Sequence, residues 1–202
     1  MKTIIVGADP FPPYQYYDDR GQIQGLDYMK VKSVIDKMGY KAEYIINDWS
    51  KIEDMLVSRE IDMAFQVQKT SEREEIYYFS EKLRDAATVI VTSLEDTSLG
   101  DINDLFLDGG RLGVIDNYKY GEIIDSIEKE KKIAYKSLEK MLDDIDNGLI
   151  PYGVADLGVF NYLNEDNTYK NISTMEKLIF NRPLYVVFNG SSLRDKFNQC
   201  LR

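Results

Sequence analysis

The sequence predicts an α/β protein of two lobes, each with a mainly parallel sheet flanked by helices. Short strand-like apolar runs alternate with helical periodicity along the chain, which is typical of βαβ units and parallel sheets. The second half repeats the alternation of the first, with no short-period repeat and no low-complexity linker. The 202 residues are enough for two small lobes, each with its own core.

The first half predicts strands that alternate with two helices. Apolar residues recur near the helical period from Leu26 to Met38, and Gly39 then provides a C-terminal stop. Ser50 and Glu53 form a capping box, which predicts the start of a second helix. The strand-like runs cover residues 2–7, 42–46, 61–67 and 87–92.

The second half predicts the same alternation. Its helical segments run from Tyr120 to Lys131, from Leu138 to Ile145 and from Val159 to Leu163. Ser192 and Asp195 are expected to cap a final helix. The strand-like runs cover residues 111–115, 133–135, 154–155 and 184–188.

Charge and composition exclude several classes of function. The formal net charge of −10 would repel a phosphate backbone or an anionic membrane, so we expect no nucleic-acid partner. Without histidine there is no Ser-His-Asp or Cys-His pair. The lone Cys200 excludes an internal disulfide and a Cys/His zinc site. We expect no metal and no cofactor, and we interpret Asp101, Asp104 and Asp108 as surface charges.

Targeting and membrane signals are not visible in the sequence. No apolar run approaches the roughly 20 residues that a membrane-spanning helix requires, so we expect no direct membrane insertion of this chain. No basic and apolar leader precedes the first strand-like run, which we interpret as a mature or trimmed chain.

Several short motifs, from about Ile5 to Arg202, carry a family resemblance. These motifs, and the order in which they follow one another, resemble those of the family-three extracellular solute-binding proteins, the bilobed periplasmic amino-acid receptors. One such motif would be weak evidence for the family, but six motifs in sequence at sensible spacing are strong evidence. The motifs are residues 7–14 (GADPFPPY) with 25–27 (GLD); Trp49 with Leu56, Ile61 and Asp62; residues 70–73 (TSER) with Phe79-Ser80; Gly113-Val114; residues 137–139 (SLE); and Gly148 with Ala155-Asp156.

The resemblance implies a periplasmic-binding-protein type II fold with a two-strand hinge. Lobe one is expected to comprise residues 1–90 plus 184–202, and lobe two residues 91–183. The resemblance also implies a non-enzymatic receptor in the periplasm or on the outer cell surface, whose lobes close around a small zwitterion, such as a polar amino acid. The expected partners are this small-molecule ligand and either a membrane transporter permease or an attached signalling module.

Two oppositely charged residues are the main candidates for ligand contact. Removing water from a carboxylate and an ammonium is costly unless fixed charges replace it. Arg73 follows Thr70 at the start of a predicted helix and offers a planar fork for a carboxylate. The alternative is a surface arginine in a charged run. Asp156 lies at the carboxyl end of a strand, and the resemblance implies that it binds the amine. The alternative is a helix N-cap.

Aromatic and amide residues complete the candidate site in the first lobe. Phe11 and Trp49 match positions where the family places aromatic walls, although both could be core residues. Gln66 and Gln68 alternate with apolar residues, which indicates hydrogen bonding to a ligand or an edge strand that faces water. Asp9 could contact the far end of a basic or amide side chain, or serve a turn.

The sequence departs from the family pattern in the second lobe and at its end. Asn117, Tyr118 and Lys119 stand where small residues normally bind the ligand carboxylate. Tyr118 and Lys119 remain ligand candidates, with Lys119 either a point charge or a solvent-exposed side chain. Pro151 replaces a usual aspartate. The sequence stops inside its last predicted helix, before the Gly-aromatic tail of such proteins, which predicts an excised module.

Three alternatives to a free transport receptor stay open. One is the sensor domain of a membrane histidine kinase or other receptor, which the end of the sequence favours. Another is a dehydratase-type enzyme on the same fold, similar to cyclohexadienyl dehydratase, for which Lys119 is the one candidate acid. The third is a degenerate cleft used for protein contacts. The ligand stays open too, because Asp9 favours a basic or amide side chain and Lys119 an acidic one.

Overall fold

The computed structural model describes residues 2–116 and 118–202, which form two compact units. Unit 1 comprises the described residues up to Asp85 together with Pro183–Arg202, and unit 2 comprises those of Ala86–Arg182. The chain therefore passes between the units twice, within one strand at Arg84–Thr92 and another at Ser173–Phe188. The lobe limits expected from the sequence fall inside the same two strands.

The sheet of unit 1 is built on three parallel strands. β1 (Thr3–Ala8) lies between β4 (Lys41–Ile46) and β5 (Met63–Gln68) and pairs with both in parallel. β5 then pairs antiparallel with the last residues of β11 (Ser173–Phe188). The other elements of the unit are β2 (Tyr16–Tyr17), β3 (Ile23–Gln24), α1 (Leu26–Lys37), α2 (Trp49–Val57), α3 (Ser71–Glu74), β6 (Tyr78–Phe79) and α7 (Ser191–Leu201).

Helix α1 shows how the periodicity of the sequence produces packing in unit 1. Val31, Val34 and Ile35 follow the helical spacing and are buried in the core, whereas Leu26 and Met29 stay exposed. Asp27 lies in the first turn, where the helix dipole favours an acid. The parallel pairing of β1 with β5 has a consequence for the site, because the carboxyl ends of both strands lie at the same edge of the sheet.

The sheet of unit 2 follows the same plan. β8 (Leu112–Ile115) pairs in parallel with β9 (Lys132–Tyr135) and with β10 (Tyr152–Asp156). β10 also pairs antiparallel with β7 (Arg84–Thr92), over its residues 88–92. None of the helices among residues 2–116 and 118–202 is long and apolar enough to cross a membrane. The other elements are 3-10 helices at Ile102–Gly109 and Lys129–Lys131, α4 (Glu122–Asp125), α5 (Leu138–Asp146) and α6 (Leu157–Leu163).

The helix predicted from Tyr120 to Lys131 begins two residues later and is interrupted in the middle. Only α4 and the short 3-10 helix near the end of that segment are helical. Gly121 has a φ of 105°, which is incompatible with a helix through this position. Tyr120 is buried instead, and its Oη accepts the backbone N–H of Ile115 at 2.9 Å.

Both helix caps predicted from the sequence are also wrong. α2 begins at Trp49, so Ser50 lies inside the helix, and α7 begins at Ser191, before Ser192. Glu53 and Asp195 each form an ion pair with an arginine. The capping pattern fails because each helix begins one residue before the serine, with Asp48 and Gly190 at the N-cap positions.

Gly25, just before α1, occupies a position that allows no side chain. Its φ of 124° and ψ of 161° lie in a region essentially restricted to glycine, and an added Cβ would lie 2.2 Å from the carbonyl oxygen of Tyr14. We expect Gly25→Ala to lower the free energy of unfolding by about 3 kcal/mol, measured by urea denaturation.

The matched control is Gly21→Ala, at a positive φ of 71° but with no atom near the added Cβ. Its expected cost is about 1–2 kcal/mol. Equal losses in the two variants would contradict the steric explanation.

Candidate functional site

Arg73 lies in unit 1 next to two other residues that the sequence predicted for the site. Its Nη1 donates to the backbone carbonyl of Gln68 at 3.1 Å, and its guanidinium carbon lies 5.1 Å from the ring centroid of Trp49. Its Nη2 lies 3.4 Å from Glu53 Oε1, and the Arg73 side chain is 16% exposed. The structure therefore brings Trp49, Gln68 and Arg73 together, with Glu53 as an additional member.

The local sequence explains why Arg73 is held at this edge of the sheet. β5 ends at Gln68, and the Thr70 side chain caps the four-residue helix α3 by accepting the N–H of Arg73 at 3.3 Å. Glu53 reaches the guanidinium from α2 and is 39% exposed. Burial, followed by the Glu53 charge, raises the pKa of Tyr77, so this phenol stays neutral.

The loop after β1 carries Asp9 and Phe11. Residue Phe11 forms an isolated bridge with Gln15, and its N–H donates to the carbonyl of Gln15 at 2.7 Å. The rings of Phe11 and Tyr14 are stacked with centroids 6.0 Å apart, and Phe11 is half-buried. Asp9 is also half-buried, and its backbone carbonyl accepts from Gln15 Nε2 at 3.1 Å. The loop is thus tied to itself through Gln15.

Gln66 lies in β5 at an irregularity of the strand. Its φ is 65°, and the pairing of β5 with β11 shifts register between Tyr185 and Val186, opposite this residue. Its Oε1 accepts from Gln15 Nε2 at 2.6 Å, and its Nε2 donates to Asp27 Oδ2 at 3.2 Å. A left-handed backbone at a residue other than glycine is strained and is often found at functional sites.

Three polar residues of unit 1 near these side chains were not predicted for the site. Arg84 Nε donates to Asp27 Oδ2 at 2.7 Å, and the Arg84 guanidinium carbon lies 3.6 Å from the ring centroid of Tyr14. Asp27 and Gln15 are buried, with 2% and 0% exposure. The GLD motif marked Asp27 without a role, and no local pattern distinguished Gln15 or Arg84.

Asp156 is the candidate of unit 2 with the best defined contacts. It ends β10 and caps α6, because its Oδ1 accepts the N–H groups of Gly158 and Val159 at 2.9 and 3.1 Å. Its Oδ2 lies 3.1 Å from Arg182 Nη2, and its side chain is 2% exposed. The helix cap that the sequence left as an alternative is therefore present, and Arg182 is a partner that the sequence did not predict.

The other candidates of unit 2 are exposed. Tyr118 and Lys119 lie in the loop after β8, and Asn117 falls outside the described residues. The ring of Tyr118 lies 6.3 Å from that of the buried Tyr120 and lines a cavity of about 130 Å³ within the unit. Among residues 2–116 and 118–202, no three acidic or cysteine side chains are grouped to hold a metal ion.

Comparison with protein families and curated sequences gives matches along the whole chain. The sequence model of the bacterial extracellular solute-binding proteins, family 3, matches residues 4–202. A probable amino-acid ABC transporter-binding protein of Haemophilus influenzae is 29% identical over 106 residues, 52% of this chain and 41% of that protein. The L-cystine-binding protein TcyA of Bacillus subtilis is 24% identical over 206 residues, 99% of this chain and 75% of that protein. The match with the Haemophilus protein thus spans less than half of the length of that relative.

Comparison with solved structures shows the fold. The arginine-, lysine-, histidine-binding protein ArtJ of Geobacillus stearothermophilus gives a TM-score of 0.78 at 22% identity, over 99% of this chain and 88% of that one. A histidine kinase sensor domain with similarity to periplasmic binding proteins gives 0.85 at 17% identity, over 98% of this chain and 88% of that one. The predicted two-lobed α/β fold of type II periplasmic binding proteins is confirmed.

Asp156 should contribute to stability through both its cap and its ion pair. We expect Asp156→Ala to lower the free energy of unfolding by about 3–5 kcal/mol, because it removes the helix cap and one partner of a buried ion pair. Urea denaturation measures the change.

The control is Asp101→Ala, an exposed cap whose side chain accepts the N–H of Asn103 at 2.8 Å. Removing this cap should cost about 1 kcal/mol. A loss for Asp156→Ala as small as that of the control would show that the ion pair adds nothing.

Proposed function

Because this chain belongs to the bacterial extracellular solute-binding proteins of family 3, we propose that it binds an amino acid outside the cytoplasm and releases it unchanged. The relatives named above are binding proteins for amino acids or cystine, which supports binding without turnover. The match to a family of extracellular proteins supports an extracytoplasmic location.

The arrangement around Arg73 is the observation that carries this proposal. Its guanidinium is fixed by the Gln68 carbonyl and by Glu53, and these two bonds use two of its five N–H donors. A ligand carboxylate can use the remaining donors, and charge-assisted bonds of this kind offset the loss of water. The Trp49 ring beside the guanidinium adds an aromatic face against which apolar ligand atoms can pack.

Asp156 of unit 2 supports a ligand that also carries an ammonium group. A carboxylate has about four acceptor positions, and Oδ1 accepts two backbone N–H groups. We propose that the ammonium shares Oδ2 with Arg182, or replaces it there. Either arrangement keeps the Asp156 charge neutralised, which a buried carboxylate requires.

Hinge closure and the downstream partner are parts of the same proposal. Two strands carry the chain between the units, and ligand contacts that favour one arrangement over another shift the population toward it. We propose delivery to a membrane transporter, supported by the name of the Haemophilus relative. Signalling as a sensor domain is the second candidate, favoured by the TM-score of 0.85 with a histidine kinase sensor domain.

A panel of amino acids and organic acids, tested by thermal shift, should reveal the ligand. A ligand at about a hundredfold over its dissociation constant adds about 2.7 kcal/mol to stability. At about 2–4 °C per kcal/mol, the midpoint should rise by about 5–10 °C. A response to organic acids with turnover would favour a dehydratase instead. If no compound in the panel raises the midpoint, the proposal of amino-acid binding is wrong.

Arg73→Ala should weaken binding of the ligand found in the panel by about 2–5 kcal/mol, because it removes one partner of a desolvated charge pair. Isothermal calorimetry measures the dissociation constant. Arg20→Ala, an exposed arginine of the same unit, is the control and should bind as the wild type does. Unchanged affinity in Arg73→Ala would exclude Arg73 from the site.

A further inference from the structure

Unit 1 contains a continuous series of polar side chains between β7 and the loop of residues 9–15. Arg84 donates to Asp27, Gln66 donates to the same carboxylate oxygen, and Gln15 donates to Gln66. Gln15 also donates to the backbone carbonyl of Asp9, so the series ends on the loop. We call these four side chains, Gln15, Asp27, Gln66 and Arg84, the buried polar chain.

The direction of every hydrogen bond in the buried polar chain is fixed. Gln15 Nε2 faces two acceptors, the carbonyl of Asp9 and Oε1 of Gln66, so its amide has one possible orientation. That orientation sets the amide of Gln66, whose Nε2 must then face Asp27. Arg84 supplies the positive charge that the buried Asp27 carboxylate requires. Removal of one member therefore leaves its neighbours without their partner.

Two features of the buried polar chain are unfavourable for stability. Gln15 Oε1 and Arg84 Nη2 are buried and have no hydrogen-bond partner among the described residues. Gln66 holds a left-handed backbone with a φ of 65°, which strains any residue other than glycine. Apolar side chains of similar size would leave no buried polar atom without a partner, and a glycine at position 66 would relieve the strain. The buried polar chain has these unfavourable features, which indicates that its role is to position neighbouring residues rather than to stabilise the fold.

The buried polar chain ends on the loop of residues 9–15, and this loop is the part of the molecule that it positions. The loop of residues 9–15 carries Asp9 and Phe11, two of the residues expected to contact a ligand. On its other side the loop is fixed by α1, because the Tyr14 carbonyl accepts the N–H groups of Asp27 and Tyr28 at 2.9 and 3.2 Å. Asp27 therefore fixes the loop through its backbone and through its side chain.

We infer that Gln15, Asp27 and Arg84 are positioning residues for ligand binding, which hold the loop of residues 9–15 in its binding geometry. Gln15 and Asp27, at 0% and 2% exposure, act on a ligand only through the loop. The Gln66 amide uses its oxygen and its nitrogen within the buried polar chain, so Gln66 orients Gln15. For its ligand readout, this inference rests on the proposed function.

Gln15→Met tests the inference, because methionine is close to glutamine in length and volume but donates no hydrogen bond. We expect at least tenfold weaker binding of the amino acid found in the thermal panel. The melting midpoint should stay within 3 °C of that of the wild type, a shift that corresponds to about 1 kcal/mol of stability. The amides of Phe11, Tyr14 and Gln15 should exchange hydrogen at least tenfold faster, whereas those of α5 should not change. Gln199→Met, the same change at an exposed position, is the matched control and should alter neither quantity.

Unchanged affinity and unchanged exchange in Gln15→Met would overturn the inference. If that variant does not fold, Arg84→Lys replaces it, because lysine keeps the charge beside Asp27 and loses the planar contact with Tyr14. Faster exchange at the same three amides is again expected, and wild-type exchange would overturn the inference. If the wild-type protein binds nothing in the panel, the proposed function fails, and the exchange measurement still decides whether these residues position the loop.

Discussion

A buried carboxylate needs a cation, and each unit meets this requirement with an arginine on a strand that leaves the unit. Asp27 is paired with Arg84 in unit 1, and Asp156 with Arg182 in unit 2. Removing either partner of a buried ion pair costs several kcal/mol, about 3–5 in measured cases. The buried carboxylate of each unit therefore shares its charge balance with the strand that continues into the other unit.

The regular part of the fold could be predicted from the sequence because its signals are local. Helix α1 buries Val31, Val34 and Ile35 at helical spacing, and α5 begins at a Ser137 cap and buries Met141 and Leu142. The long strand β11 was predicted only over its last five residues, because polar residues interrupt the apolar ones in its first part, which also includes Pro183. The helix predicted from Tyr120 begins only at Glu122 for a backbone reason, since Gly121 takes a positive φ.

The candidate site was predicted in its chemistry more than in its contacts. The motif around Arg73 marked a guanidinium, and the structure puts it beside Trp49 and Gln68. The partners of the charged residues were missed, because Asp27 and Arg84 are 57 positions apart and Asp156 and Arg182 are 26 apart. No local periodicity reports such pairs, so only the folded chain reveals them.

The order of elements along the chain has a consequence for synthesis on the ribosome. Unit 2 is one uninterrupted segment, Ala86–Arg182, whereas unit 1 needs Pro183–Arg202 for completion. Phe188 and Phe197 contact each other in the core of unit 1 with ring centroids 5.3 Å apart, and both are fully buried. A nascent chain that ends before them lacks part of this core. Unit 1 therefore starts first and is completed after unit 2, and part of its apolar surface stays uncovered until Pro183–Arg202 have been translated.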